Sequence, residues 1–156
     1  KMTFHNLNVS CCILLVSLGV SQAAGNADGE GARPAGVATK AWGALKAGDH
    51  KSVYKLTTQC FKDFGDEAVA QQKELGEKIT VDDPSSLEEL NSVGTCLFIL
   101  AESLSQQGYE EKSQSTLQKL IDDFPACQCK NKKGYYWKPA VAAEKQLAET
   151  LQTPAK

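Results

Sequence analysis

Apolar residues recur three and four positions apart through most of the chain, and the tightest such stretch runs from Leu97 to Pro125. Leu97, Leu100, Ala101 and Leu104 make one set; Leu117, Leu120, Ile121 and Phe124 make a second. The i, i+3, i+4, i+7 spacing puts each set on one face of a helix, since successive helical residues are offset by about 100°. Gln107-Gly108-Tyr109 separates the sets. The pattern therefore predicts two amphipathic helices folded back on each other, each with one apolar face to bury against more of the same.

The same period continues on both sides. Ala38, Ala41, Trp42, Ala44 and Leu45 form an apolar stripe from about Val37 to Ala47. Gly48-Asp49 breaks it, and Asp49 suits the N-cap of a helix carrying Val53, Leu56, Cys60 and Phe64 as far as Leu75. A loop from Gly76 to Pro84 leads to Ser85-Ser86-Leu87-Glu88, which fits a capping box opening a helix over Leu87–Gln107. Cys96 to Ala101 is apolar almost all the way round, so this helix is expected at the centre, covered on both sides. Past Pro125 the period vanishes until Pro139, which suits the first turn of a last helix carrying Val141, Ala142 and Leu147. The expected class is all-α, with about five helices over residues 37–152 and a tail over 153–156.

Leu97–Pro125 resembles the tetratricopeptide repeat, whose pattern W-x2-L-G-x2-Y, A-x3-F, P recurs every 34 residues or so. Leu97 takes the Trp position, Leu100 the Leu, Ala101 the Gly and Leu104 the Tyr. Gly108 falls at the tight turn, Ser113 at the small position, Leu117 at the Phe position and Pro125 at the Pro. Upstream, Gly48 aligns with Gly108, Ala41 with Ala101 and Val53 with Ser113, whereas Lys40, Thr57 and Gly65 replace Leu, Phe and Pro. The turn glycines imply about 26 residues inserted relative to the family period, around 65–84. The resemblance, to an exported bacterial member of the family, implies a short right-handed solenoid stack with a concave face for a peptide or protein partner.

Composition adds limits. The chain has 156 residues, 42% of them hydrophobic, and a formal net charge of -2. That suits one domain with a small core and gives no electrostatic case for nucleic acid. Residues 1–24 have the polar start, the apolar run Cys11–Val20 and the small residues Ser21–Gly25 of a secretory signal peptide, with cleavage after Ala23 or Ala24. The run is too short for a stable membrane span. A Gly-rich stretch over 25–36 reads as a flexible linker, and the expected location is periplasmic or extracellular.

Candidate chemistry is sparse. Beyond the leader there is one histidine, His50, and no nucleophile elbow, phosphate loop or metalloprotease motif, so no catalytic residues, cofactor or metal are expected. Asp82-Asp83 and Asp122-Asp123 read as solvated turn residues, and His50 as a surface residue at the turn. Cys60, Cys96, Cys127 and Cys129 remain in the mature chain, and export makes two disulfides the expectation. A Cys127–Cys129 ring would be strained, so the repeat register favours Cys96 with Cys129 and Cys60 with Cys127. A four-thiolate zinc or redox site is the alternative, without the paired C-x2-C spacing it usually shows. From Lys130 to Lys138, four lysines (Lys132, Lys133 and Lys138 with Lys130) interleave with Tyr135, Tyr136 and Trp137 in a basic aromatic loop that either grips a partner or caps the last hairpin.

The leading expectation is a non-catalytic exported adaptor or scaffold that binds a protein or peptide. The alternative is a self-assembling extracellular filament subunit, built by end-to-end packing of copies. A small redox or metal-binding protein comes third.

Overall fold

The computed structural model describes residues 33–76, 78 and 81–152. The leader, most of the expected linker and the tail lie outside the described residues. The chain is all-α in its main elements: α1 (Pro34–Lys46), α2 (His50–Leu75), α3 (Glu88–Gln106), α4 (Glu110–Asp123) and α5 (Pro139–Gln152). A 3-10 turn over Pro84–Ser86 precedes α3, and β1 (Cys129–Lys130) pairs antiparallel with β2 (Tyr136–Trp137) ahead of α5. No described helix is long and apolar enough to cross a membrane.

The helices pack as two antiparallel hairpins and a closing helix. Gly48 and Gly108 hold φ of 69° and 78°, the left-handed conformation that reverses the chain at least cost without a Cβ. After the first turn, the Asp49 carboxylate accepts from Ser52 N at 3.0 Å and caps α2. Ser52 thereby holds the Asp49 carboxyl below the usual carboxylate range, chiefly through its side chain and then its backbone N–H. Inside the second hairpin, the buried Ser113 hydroxyl donates to Ala101 O at 2.8 Å. Small side chains at 101 and 113 let α3 and α4 approach that closely.

α3 is the hub and packs against α1, α2, α4 and α5. Every residue from Ser92 to Leu97 is buried, as the all-round apolar pattern predicts. The main core joins Leu90, Val93, Leu117, Leu120 and Phe124 to α1, α2 and α5, and a smaller one joins Ala41, Leu45, Val53 and Ile99. Each buried Leu, Ile, Val or Phe among them contributes about 1.5–3 kcal/mol of transfer free energy. Thr57 is fully buried, but its hydroxyl donates to Val53 O at 2.9 Å. Leu100, Leu104 and Pro125 are half-buried.

Four local expectations need correction. The last residues of the expected linker, Pro34–Gly36, form the first turn of α1, because proline's fixed φ suits that position and Pro34 is buried. The capping box does not form: Asp83 accepts from Ser85 N at 3.0 Å and takes the Ser85 hydroxyl too, while Glu88 Oε1 accepts from Ala35 N across at α1. Val141 is 55% exposed, and α5 instead buries Ala140 and Ala143. His50 is not a free surface residue, since its Nδ1 lies 2.9 Å from the buried Ser103 Oγ.

The residues directly after Pro125 lie inside the molecule. Ala126 and Cys127 are fully buried and Gln128 nearly so, beneath polar side chains that satisfy their backbone. Gln72 Oε1 accepts from Ala126 N at 3.1 Å and Asn91 Oδ1 from Gln128 N at 2.7 Å.

Candidate functional site

A groove runs along one side of the molecule between α1, the N-terminal half of α3 and the β1–β2 hairpin. It consists of two adjoining clefts of about 410 and 640 Å³ that share Thr39, Trp42, Cys129 and Lys130. Its floor is aromatic. Trp137 stands edge-on to Phe98 with ring centroids 5.2 Å apart, and Trp42 lies 6.3 Å from Phe98 and 6.5 Å from Trp137. These rings are held by opposite walls, Trp42 by α1 and Trp137 by β2, so the cluster fixes the hairpin against the helices.

The larger cleft is lined by Lys46, Lys130 and Lys132 and by no acidic residue. The smaller one ends at Glu88, whose carboxylate is engaged by Ala35 N. One end of the groove is thus electropositive. Lys130 Nζ also sits 5.7 Å from the Tyr136 ring centroid, which orients both side chains on the groove rim. The hairpin tip is organised by Asn131, whose Oδ1 accepts from Lys133 N and Tyr135 N at 2.9 and 3.0 Å.

The basic aromatic loop therefore divides its labour. Trp137 is half-buried and closes the core as a cap would, whereas Tyr135 and Tyr136 are 70% and 39% exposed. Lys132 reaches the groove wall; Lys133 is exposed at the turn, and Lys138 starts the run into α5. Lys130, the first lysine of the loop, lines both clefts, whereas Trp42 and Lys46 complete the site but carry no motif of their own. A tryptophan in an otherwise alanine-rich stripe was the one signal in α1.

The cysteines are thiols in this structure, with Cys60, Cys96 and Cys127 buried and Cys129 half-buried against the groove. Cys60 on α2 faces Cys96 on α3. Hydrogen bonding to the Cys60 thiol, and then burial, push the Cys96 thiol far above its ordinary range. Cys127 is wedged against Gly94, where a Cβ would meet its Sγ at 2.4 Å. Gly94 and Cys96 are two residues apart, about 200° round the helix, so Cys60 and Cys127 meet different flanks of α3. Among the described residues, no three His, Cys, Asp or Glu side chains are grouped so as to hold a metal ion.

Burial pushes the Cys127 thiol up from 9.0 to about 12, although the Ala140 backbone N–H works against it. A thiol raised by folding contributes stability that is complete below its unfolded value and lost as pH climbs toward the folded one. The reduced protein is therefore expected to lose about 1.4 kcal/mol per pH unit on this account above roughly pH 9. Urea melts across that range should show a shallower slope for Cys127→Ala. Parallel slopes would refute the assignment.

His50 and Ser103 form a base–hydroxyl pair, but the Ser103 oxygen is buried and also receives Gln107 Nε2 at 3.3 Å, so it faces no substrate space. Ser85 holds the Asp83 carboxyl below its usual range, and Asp123 pairs with Lys119 along α4. No protein-family model matches the chain, and neither any curated protein nor any solved structure is significantly similar to it.

Proposed function

We propose that the protein is an exported, non-catalytic helical-repeat scaffold that holds an extended acidic segment of a partner protein in the α1–α3–hairpin groove. The observation that carries this reading is the groove itself, which follows the first helices of both hairpins and joins a tryptophan floor to three lysines. Aromatic faces supply contact area at small entropic cost, while the lysines select for negative charge and speed encounter. The two hairpins, their left-handed turn glycines and the small residues at the α3–α4 contact support a tetratricopeptide-like stack.

The chain contains two tryptophans, Trp42 and Trp137, and both line this groove, so intrinsic fluorescence reads the site directly. Titration with a glutamate-rich peptide containing phenylalanine should shift the emission, and a lysine-rich peptide of equal length should not. Lys130→Glu/Lys132→Glu is expected to weaken the acidic peptide about tenfold or more. Equal binding of both peptides, or no spectral change with either, would sink the reading.

A further inference from the structure

We infer that Cys60 and Cys96 form a disulfide that staples α2 to α3. Both residues are fully buried in one core cluster, at the seam where α2 lies along α3. The His50–Ser103 and Gln71–Leu90 hydrogen bonds fix α2 antiparallel along α3, a register that sets Cys60 level with Cys96 across the seam. The other two are committed elsewhere: Cys127 to the backbone of Gly94, and Cys129 to the groove, where its thiol points toward Lys130 O at 3.9 Å. The staple thus differs from the Cys96–Cys129 and Cys60–Cys127 pairing that the repeat register favours.

Full burial dictates when the bond forms. No oxidant reaches either sulfur once α2 and α3 have closed, so oxidation precedes or accompanies their docking. With a disulfide-type oxidant such as oxidised glutathione, the Cys60 thiolate attacks one sulfur of the reagent and releases one glutathione thiolate. The Cys96 thiolate then attacks the Cys60 sulfur of the mixed disulfide and releases the second. Two electrons pass from the cysteines to the reagent, and the two protons end on the two glutathione thiols. The closed loop spans the end of α2 and the inserted segment, so the link constrains the most divergent part of the stack. It forms whatever the groove binds.

The test is refolding of the full, reduced protein in a glutathione redox buffer, followed by alkylation in denaturant and peptide mapping without reductant. The expected result is a linked peptide pair holding Cys60 and Cys96, with Cys127 and Cys129 alkylated. Oxidised protein should melt on the order of 10 °C above reduced protein. The same difference should persist in Cys127→Ala/Cys129→Ala and vanish in Cys60→Ala. Alkylation of both Cys60 and Cys96, or a linked pair containing Cys96 and Cys129, would overturn the assignment.

Discussion

Gly94→Ala is expected to destabilise the protein by about 3 kcal/mol, lowering its melting temperature by on the order of 10 °C. In an exposed helix the same change would stabilise by up to about 1 kcal/mol, because glycine loses more backbone entropy than alanine. At position 94 the new methyl would lie 2.4 Å from Cys127 Sγ and 2.6 Å from Cys127 Cβ. Neither atom can yield easily. Its neighbours Ala126 and Gln128 have their backbone N–H groups bound by Gln72 and Asn91, and Cys127 N donates to Phe124 O at 3.2 Å. Either α3 shifts, disturbing every helix it touches, or the segment after α4 is expelled from the core. Gly43→Ala is the control, since nothing lies within 4 Å of a Cβ there, and it should raise the melting temperature slightly. Thermal melts of both variants decide the matter. If Gly94→Ala melts at or above the wild-type temperature, the close approach of α3 and Cys127 is wrong.

Asn91→Ala should cost about 2–3 kcal/mol through two hydrogen bonds lost together, one of which leaves a backbone N–H without a partner. The Asn91 amide donates to Pro84 O at 2.5 Å and accepts from Gln128 N at 2.7 Å, joining the turn before α3 to the segment entering β1. Alanine leaves the Gln128 N–H unsatisfied and Pro84 O with the longer bond from Leu87 N at 3.3 Å, in a part-buried site. Asn91→Asp keeps the acceptor for Gln128 but removes the donor and sets a negative charge against a carbonyl oxygen, so it should also destabilise. Urea midpoints give the global cost. Amide exchange gives the local one: Gln128 N–H should lose protection in Asn91→Ala while Leu90 N–H, held by Gln71 Oε1 at 2.9 Å, keeps it. An unchanged Gln128 rate would show that Asn91 does not hold this segment. Because Asn91 and Gln128 also line the groove, the same substitution should loosen its wall.

The helices were legible because their information is local. A period of 3.6, a turn glycine and an N-cap aspartate each act within a few residues, and Asp49, Gly48 and Gly108 stand where such signals put them. The all-round apolar run of α3 likewise announced a central helix. The groove was illegible because it is made by contacts distant in sequence. Trp42 and Trp137 read as a stripe residue and a loop residue, and only the fold sets their rings 6.5 Å apart. The buried Ala126–Gln128 segment gave no periodic signal, since it is held by single carboxamides from α2 and α3. Gly94 did carry a signal, as a lone glycine in an apolar helix marks a close approach. Ser85 and Glu88 show the reverse case: a motif present in letters whose partners were claimed by Asp83 and Ala35.

α2 is twice as long as α1, with 26 residues against 13, and reaches about 39 Å at the usual helical rise. Its last turns carry Gln71 and Gln72, which grip Leu90 at the entrance of the second hairpin and Ala126 at its exit. An array of ordinary repeats can fray from one end, because each unit touches only its neighbours. Here a beam rooted in the first hairpin clasps both ends of the second. Opening either hairpin breaks this clasp, so the extra length of α2 couples the melting of one hairpin to that of the other.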